Sequence, residues 1–288
     1  MAVNRTIYTQ GWVNLKISDA ASSGVWPTSM TGAAGMTLTG VQSANFTVNS
    51  PKLDVNAFGV LGPINKVSVE PQAATLEVSM ILNSGNSLQT GWISGLFKDA
   101  CRPTPSGLTV TASGVGQIIS GVCTSIRAEL AVGALPTLSM TFEGLSGANV
   151  MSGAIAVTAL NATTILVPTP ADFGALYWSG TASGCPQSAR FSWEMPVERL
   201  NCLGVSVDSP TVFTRPPGTV QVVTEGIDFT MLSPTGCFIT GMKIAGYTFS
   251  AANMREVARS VNMAVGEASS TFNITAEGVG LAADISGP

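Results

Sequence analysis

The feature that most constrains this chain is an internal repeat. Residues 42–59 read QSANFTVNSPKLDVNAFG, and residues 187–204 read QSARFSWEMPVERLNCLG. At a constant offset of 145, seven of the eighteen positions are identical. Chance would give roughly one or two identities at average residue usage. The repeat therefore predicts that both segments adopt the same local structure.

A second pair of matching segments follows the first pair in each half. Residues 131–145 and 264–279 both begin with Ala-Val-Gly and match again after one inserted residue. The later identities are Thr137/Thr271, Thr141/Thr275, Glu143/Glu277 and Gly144/Gly278. The order of the two blocks is the same in both halves, which predicts two tandem domains, 1–148 and 149–288. Copies of this length are domains and not solenoid repeats.

The local pattern of the chain is that of short β-strands. Its 31 glycines and 16 prolines punctuate runs rich in Val, Ile, Thr and Leu. Residues 75–80 alternate strictly, with Leu76, Val78 and Met80 on one face and Thr75, Glu77 and Ser79 on the other. Further predicted strands are 5–15, 136–145, 219–232 and 269–279. The predicted fold class is mainly β.

Two segments have a helical pattern. Between residues 87 and 100, Leu88, Trp92, Ile93, Leu96 and Phe97 form one apolar stripe at helical spacing. This stripe predicts a helix packed on the flank of the β fold of the first half. Residues 250–260 form a weaker candidate, a helix or an exposed loop, because they are unusually charged for this chain.

Charged residues make up only 10% of the chain, against roughly 25% in an average protein. Soluble monomers keep a charged surface, whereas the cores of protein interfaces are depleted of charge. The deficit indicates that much of the surface faces other protein chains. The alternative is a neutral monomer coated with Ser and Thr.

The composition disfavours several classes of chemistry. The chain has no histidine, and its five cysteines contain no Cys-x-x-Cys pair, so no metal, redox or Ser-His motif is present. No cofactor and no catalytic residue is predicted. Carboxylates remain available for hydrolysis, but no spacing singles out a pair. These carboxylates are Asp54, Glu194, Glu198, Asp208, Glu225 and Asp228.

Partners and location are constrained by charge and by the apolar segments. The net charge is −4, and no run of basic residues exists with which to hold nucleic acid through its phosphates. No apolar stretch approaches the roughly 20 residues of a membrane span, and no signal peptide is predicted at the N-terminus. Together with the odd number of cysteines, this indicates reduced thiols in a cytoplasm.

With these features the chain resembles the tail tube proteins of long-tailed bacteriophages that carry two fused tube domains. The resemblance rests on the strand-rich halves, the stripe at 88–97, and the strand motifs ending in Glu143-Gly144 and Glu277-Gly278. It implies that each half is a β-sandwich or half-barrel, the first with a flanking helix. The chain departs from the pattern of that family in two ways. Its second half lacks the helical stripe, and its first half has no evident long loop that could connect rings. Residues 18–35 are a candidate for such an arm.

The resemblance also implies function and partners. Chains would form a ring, expected to be a trimer with pseudo-sixfold symmetry, and rings would stack into a tube that conducts double-stranded DNA without binding it specifically. Tape-measure and tail-tip proteins would be the other partners, and the location would be the virion tail, assembled in the host cytoplasm. Acidic side chains should line the lumen, because they repel phosphates. The candidates are Glu77, Glu129, Glu143 and Glu277.

Three alternatives stay open at this point. One is a related tail adaptor, baseplate hub or distal tail protein with the same fold. Another is a surface β protein or carbohydrate-binding module unrelated to phages. The matched pair Glu143/Glu277 also has a simpler interpretation, in which each carboxylate ends a strand before a glycine turn and faces water.

Overall fold

The structure is a computed structural model, and it describes part of the 288-residue chain. The described residues are 12–17, 35–38, 40, 41–49, 52–68, 73–82, 92–93, 95–96, 107–149, 185–195, 197–200, 209–213, 219–225, 241–244, 247–250, 254–262, 271–278 and 284–286. Beyond residue 195, side chains are described only at Thr219, Gln221, Ser260, Asn262 and Thr275.

Eighteen strands lie in these residues. Nine precede residue 150: β1 Val13–Ile17, β2 Met36–Leu38, β3 Val41–Asn49, β4 Lys52–Val55, β5 Asn65–Ser68, β6 Ala73–Ile81, β7 Leu108–Ala112, β8 Gly116–Ala131 and β9 Thr137–Asn149. Nine follow: β10 Cys185–Glu194, β11 Val197–Leu200, β12 Ser209–Phe213, β13 Thr219–Glu225, β14 Gly241–Ile244, β15 Tyr247–Ser250, β16 Met254–Asn262, β17 Thr271–Gly278 and β18 Asp284–Ser286.

The predicted fold class is confirmed at the level of secondary structure. Of the described part of the chain, 73% is strand and 4% is helix, and the main sheet is curled into a half-barrel. Residues 92, 93, 95 and 96 are helical, which is the middle of the predicted helix 87–100; its other residues lie outside the described part. The candidate arm at 18–35 also lies outside it, apart from Gly35.

Strict alternation along the strands builds one apolar core. β1 and β7 both alternate between buried and half-buried positions, so that one face of each strand is apolar and packed. The largest fully buried side chains are Trp92, Trp193, Phe142, Phe191, Leu15, Leu38, Leu76 and Met80. They come from both halves of the sequence and from the helical residues, and they belong to a single cluster.

The main sheet joins the two halves of the chain. Eight strands follow one another in the order β3-β6-β9-β8-β10-β13-β17-β16, and all the neighbouring pairs are antiparallel. The order branches at β8, where β7, β1 and β2 continue from the first part of that strand. Three smaller sheets, β4-β5, β11-β12 and β14-β15-β18, complete the described strands.

The pairing register of the first four strands recurs in the second four. In the first half, one row of directly paired residues runs Phe46, Leu76, Phe142, Cys123. In the second half, the row that contains the repeat partner of Phe46 runs Phe191, Val220, Ala276, Glu256. Phe142 and Ala276 are 134 residues apart, as are Glu143 and Glu277 in the sequence alignment.

Two β-bulges recur at matching positions. The register shifts at Gln42 in the β3–β6 pair and at Gln187 in the β10–β13 pair, and these glutamines are equivalent in the sequence repeat. It shifts again at Thr124 between β8 and β9, and at Val257 between β16 and β17. Bulges interrupt the ladder at specific places and are conserved features of a fold. Within the described residues, β3 and β10, which contain the first parts of the two repeat segments, therefore occupy equivalent places in the sheet.

Most of the difference in spacing between the matched strands of the two halves lies in one interval. Val220 follows Leu76 by 144 residues, whereas Glu256 follows Cys123 by 133. The missing eleven residues therefore fall between β13 and β16, in the interval that corresponds to the helix of the first half. This agrees with the weaker apolar pattern of that part of the sequence.

The helical interpretation of residues 250–260 is wrong. Residues 254–262 form β16, which pairs with β17 along its length. Local charge suggested a helix or a loop, but pairing with a neighbouring strand outweighs intrinsic preference at such a site.

Candidate assembly surfaces

The junction between the two halves is the β8–β10 pair. Seven residues of β10, Ser188 to Glu194, pair antiparallel with Ala131 to Ser125 of β8. Two backbone hydrogen bonds extend the junction beyond this ladder: Val132 N donates to Gln187 O at 2.9 Å, and Met195 N donates to Thr124 O at 2.7 Å. Both acceptors are bulged residues, so the bulges contribute directly to joining the halves.

The two faces of the junction differ in chemistry. On the core face, Phe191 lies opposite Ala128 and Trp193 lies opposite Ile126, and all four are buried. On the other face, Arg190 Nη2 donates to Glu129 Oε1 at 2.9 Å. Arg127 forms an ion pair with the same carboxylate, with 3.9 Å between Arg127 Nε and Glu129 Oε2. These ionic side chains are 38–48% exposed, so apolar packing contributes most to the junction.

The eight-strand order ends in two strands with one neighbour each. Among the described residues, β3 pairs only with β6, and β16 pairs only with β17. Ala44, Phe46 and Val48 of β3 are only partly buried. Their repeat partners in β10 are Ala189, Phe191 and Trp193, all at most 2% exposed. Among the described strands, β10 has a neighbour on each side and β3 has one, which accounts for the difference.

The hairpin formed by β4 and β5 carries an unusual apolar surface. Its register runs from Lys52↔Ser68 to Val55↔Asn65, and Ile64 N donates to Val55 O at 2.9 Å across the loop. Six large apolar side chains of this hairpin are exposed: Leu53, Val55, Phe58, Val60, Leu61 and Ile64. Phe58 and Leu61, at the tip, are fully exposed, at 109% and 105%. Large exposed apolar patches are typical of contact sites, so this hairpin is a candidate contact surface.

The β11–β12 hairpin occupies the corresponding place in the second half. Val197 pairs with Phe213, and both lie 145 residues after the pair Lys52↔Ser68. Some Cα atoms of β12 lie within 8 Å of Cα atoms of β9, a strand of the first half. The second hairpin thus lies beside the preceding half of the chain.

Three of the four predicted lumen residues lie on one face of the sheet, opposite the apolar core. Glu77 is exposed, and Glu129 and Glu143 are half-exposed. Glu77 and Glu143 have a buried residue on either side along the strand, and Glu129 lies between buried Ala128 and partly buried Leu130. Glu77 pairs directly with Asn45 and Thr141. Glu277 pairs with Thr219 and Arg255, and its side chain is not among those described.

This polar face carries more carboxylates than cations among its described side chains. Its carboxylates are those of Glu77, Glu129, Glu143 and Glu194, and its cations are those of Arg127 and Arg190. The other side chains on this face are mainly Ser, Thr and Asn. Glu129 is already bound by both arginines, so it is a junction residue as much as a surface acid. Glu77 is the most exposed of the predicted set whose side chains are described.

Cys123 is the buried thiol of the core. Burial raises the pKa of this thiol from 9.0 to about 12, an effect only partly offset by a hydrogen bond from the backbone of Ser125. The thiol itself donates to Ser125 O at 3.4 Å. It is therefore protonated at neutral pH and behaves as a small apolar side chain. In the described part of the chain, no group of three or more Cys, Asp or Glu side chains is arranged to hold a metal ion. Nor does any helix there have the length and hydropathy to cross a membrane.

Two parts of these surfaces were missed by sequence reasoning. The junction could not be located because the β8–β10 pair joins strands far apart in sequence. The exposed hairpin did leave a signal: its loop, AFGVLGPI, is apolar although turns are normally polar. The candidate arm was instead placed at residues 18–35.

Searches with this sequence matched no protein-family model and no curated protein.

Proposed function

We propose that this chain is a structural virion protein whose rings stack into the hollow tail tube of a long-tailed phage, and that it is not an enzyme. The observation that carries the proposal is the four-strand pattern that occurs twice in one sheet and leaves an edge strand at each end. The resemblance of the sequence and its shortage of charge support the same function.

In this proposal, residues 1–148 and 149–288 are two tandem copies of one tube domain. The matching registers and the two matching bulges support a common origin, and β9 ends at Asn149, beside the proposed boundary. Residues 92, 93, 95 and 96, which are helical and buried, support a flanking helix in the first copy. The copies share one continuous sheet and are not separate bodies.

The number of strands favours several chains per ring. Strands lie about 4.8 Å apart and tilt by about 40° in barrels, so eight strands closed on themselves would have a backbone diameter of about 16 Å, which side chains fill. Three chains would supply about 24 strands and a backbone diameter of about 50 Å. Inward side chains reduce this to about 40 Å, which is wider than a DNA duplex.

The two faces of the sheet fit such a ring. The core face is covered by β7, β1, β2 and the helical residues, whose apolar side chains join the same cluster. The uncovered polar face would line the lumen, where an excess of carboxylates keeps DNA phosphates from binding. Glu77, Glu129, Glu143 and Glu277 are the proposed lumen residues, with double-stranded DNA as the passing partner and tape-measure and tail-tip proteins as the others.

Negative-stain microscopy of the purified protein tests the proposal. We expect stacked hollow rings with a lumen of about 40 Å. A tail adaptor with the same fold would give single rings that do not stack. Monodisperse single chains at high protein concentration would contradict both functions.

A further inference from the structure

We infer that the β8–β10 junction inside the chain is the template for the junction between chains, so that β16 of one copy pairs with β3 of the next. This inference rests on the proposed assembly function and names its partner surface, a second copy of this chain. In the main sheet, the group β3-β6-β9-β8 is followed by the group β10-β13-β17-β16. The first group begins with β3 and ends with β8. The second group begins with β10 and ends with β16.

The internal junction fixes the register of the external one. β10 residues follow their β3 equivalents by 145, as Phe191 follows Phe46, and β16 residues follow their β8 equivalents by 133, as Glu256 follows Cys123. Applied to the β8–β10 register, these offsets give five pairs within the described strands. They are Asn45↔Asn262, Phe46↔Val261, Thr47↔Ser260, Val48↔Arg259 and Asn49↔Ala258.

The pattern of exposure agrees with this register. Asn45 and Thr47 are exposed on β3, and Asn262 and Ser260 are exposed on β16. The register places these exposed residues opposite one another, whereas a slip by one residue would place them opposite the positions of the other face. The pair Asn45↔Asn262 is equivalent in position to the Arg190–Glu129 ion pair of the internal junction. Two amide side chains can donate to and accept from each other there.

Burial gives a second reason. Phe191 is 0% exposed because β8 covers the free side of β10, while Phe46 in the equivalent place is only partly buried. A strand added beside β3 would complete the burial of Phe46, which the register places opposite Val261. It would also pair the backbone groups of an edge strand that otherwise invites unspecific association.

The exposed hairpin fits the same arrangement. Within the chain, the β11–β12 hairpin lies beside β9, which belongs to the preceding group of strands. By the same equivalence, the β4–β5 hairpin of one copy lies beside β17 of the copy that precedes it. The partner of the apolar tip formed by Phe58 and Leu61 is then the surface beside β17 of the preceding copy.

Such a contact is head-to-tail, since each copy uses β3 toward one neighbour and β16 toward the other. A heterologous interface closes into a ring when the rotation per copy allows it.

Disulfide cross-linking between two single variants tests the register. Asn45→Cys protein is mixed with Asn262→Cys protein, assembled and oxidised, and chains are separated without reducing agent. Both side chains are exposed, so folding is retained. We expect one cross-linked dimer in the mixture and none in either variant alone, because the contact is not isologous. Thr47→Cys with Ser260→Cys, the next pair on that face, should behave in the same way.

The matched control is Asn49→Cys mixed with Asn262→Cys. These positions are four residues out of register, or about 13 Å along the strand, which is too far for a disulfide. Assemblies without a cross-link at either predicted pair, or with equal cross-linking of the control, would overturn the inferred junction and leave the assembly function standing. Wild-type chains that never associate would overturn both.

Discussion

Phe46 and Phe191 hold the same place in the pairing pattern but differ in burial. Phe191 is enclosed by the β8–β10 junction, whereas Phe46 is packed from one side only. The Phe46 ring nevertheless fits closely, because a Cβ at Gly116 would lie 2.5 Å from it. The energetic importance of the two rings in an isolated chain should follow their burial.

We predict that Phe191→Ala lowers the free energy of unfolding by about 3–5 kcal/mol, the range for a fully buried phenylalanine, and that Phe46→Ala costs about half as much. Urea denaturation of dilute, unassembled protein measures both values. Phe46→Leu, which keeps most of the apolar volume, is the control and should lose less than Phe46→Ala. Equal losses for the two alanine variants would contradict the difference in packing.

The Cys123 thiol makes a prediction at alkaline pH. Its pKa is about 12 in the folded chain and 9.0 in the unfolded chain, so the unfolded chain loses this proton first as the pH rises. The stabilisation from this group is therefore complete below pH 9 and is lost between pH 9 and 12. The slope from this one group is up to about 1.4 kcal/mol per pH unit.

Comparison of wild type with Cys123→Ala isolates this contribution, because the other titrating groups are common to both. The free energy of unfolding should fall more steeply in wild type than in the variant above pH 9. Parallel curves would mean that the thiol is accessible to water in the native chain.

At the scale of elements, variants of the β4–β5 hairpin test the proposed assembly separately from folding. Phe58 and Leu61 are fully exposed, so replacing both with Ser should change the free energy of unfolding by less than about 0.5 kcal/mol. The same double variant should lose most of its assembly, measured by sedimentation, because the apolar tip no longer contacts the neighbouring copy.

Leu135→Ser provides the matched control for the hairpin, since Leu135 is an exposed apolar residue in the turn between β8 and β9. It should assemble as wild type does. Normal assembly of the hairpin variant, or an equal defect in the control, would argue that this surface has no partner in the ring.

The elements differ in how well the sequence predicts them. Residues 74–82 alternate regularly, and β6 occupies 73–81, because one side of that strand is core and the other is polar. Residues 254–262 gave no such signal, since β16 lies at the end of the sheet and its charged residues resemble those of a helix or loop. A strand at the edge of a sheet is packed against fewer neighbours than a central strand. Its sequence therefore shows a weaker strand pattern.

At the scale of the whole molecule, the repeat revealed like elements but not how they join. The identities of Gln42 with Gln187 and Glu143 with Glu277 identify matching strands. The β8–β10 pair adds the second group of strands to the first, and no local pattern in either strand specifies that partner. The placement of Glu129 shows the same limit, because its neighbour Arg190 lies 61 residues away in sequence.

The polar face provides a test of the proposed lumen. Glu77→Lys combined with Glu143→Lys should leave assembly intact but slow DNA ejection, because new cations on this face would attract phosphates. Ejection from particles carrying the variant measures the effect, and the matching Gln substitutions, which remove charge without reversing it, should give a smaller one. Unchanged ejection with the Lys variants would show that this face does not meet DNA.

We propose that one four-strand pattern occurs twice per chain and continues from chain to chain around a ring. Electron-microscopy class averages of the ring, viewed along its axis with the number of chains fixed by native mass spectrometry, test it most directly. The account predicts three chains and six similar lobes around a lumen of about 40 Å. Rings with as many lobes as chains, or dimers related by a twofold axis, would contradict it.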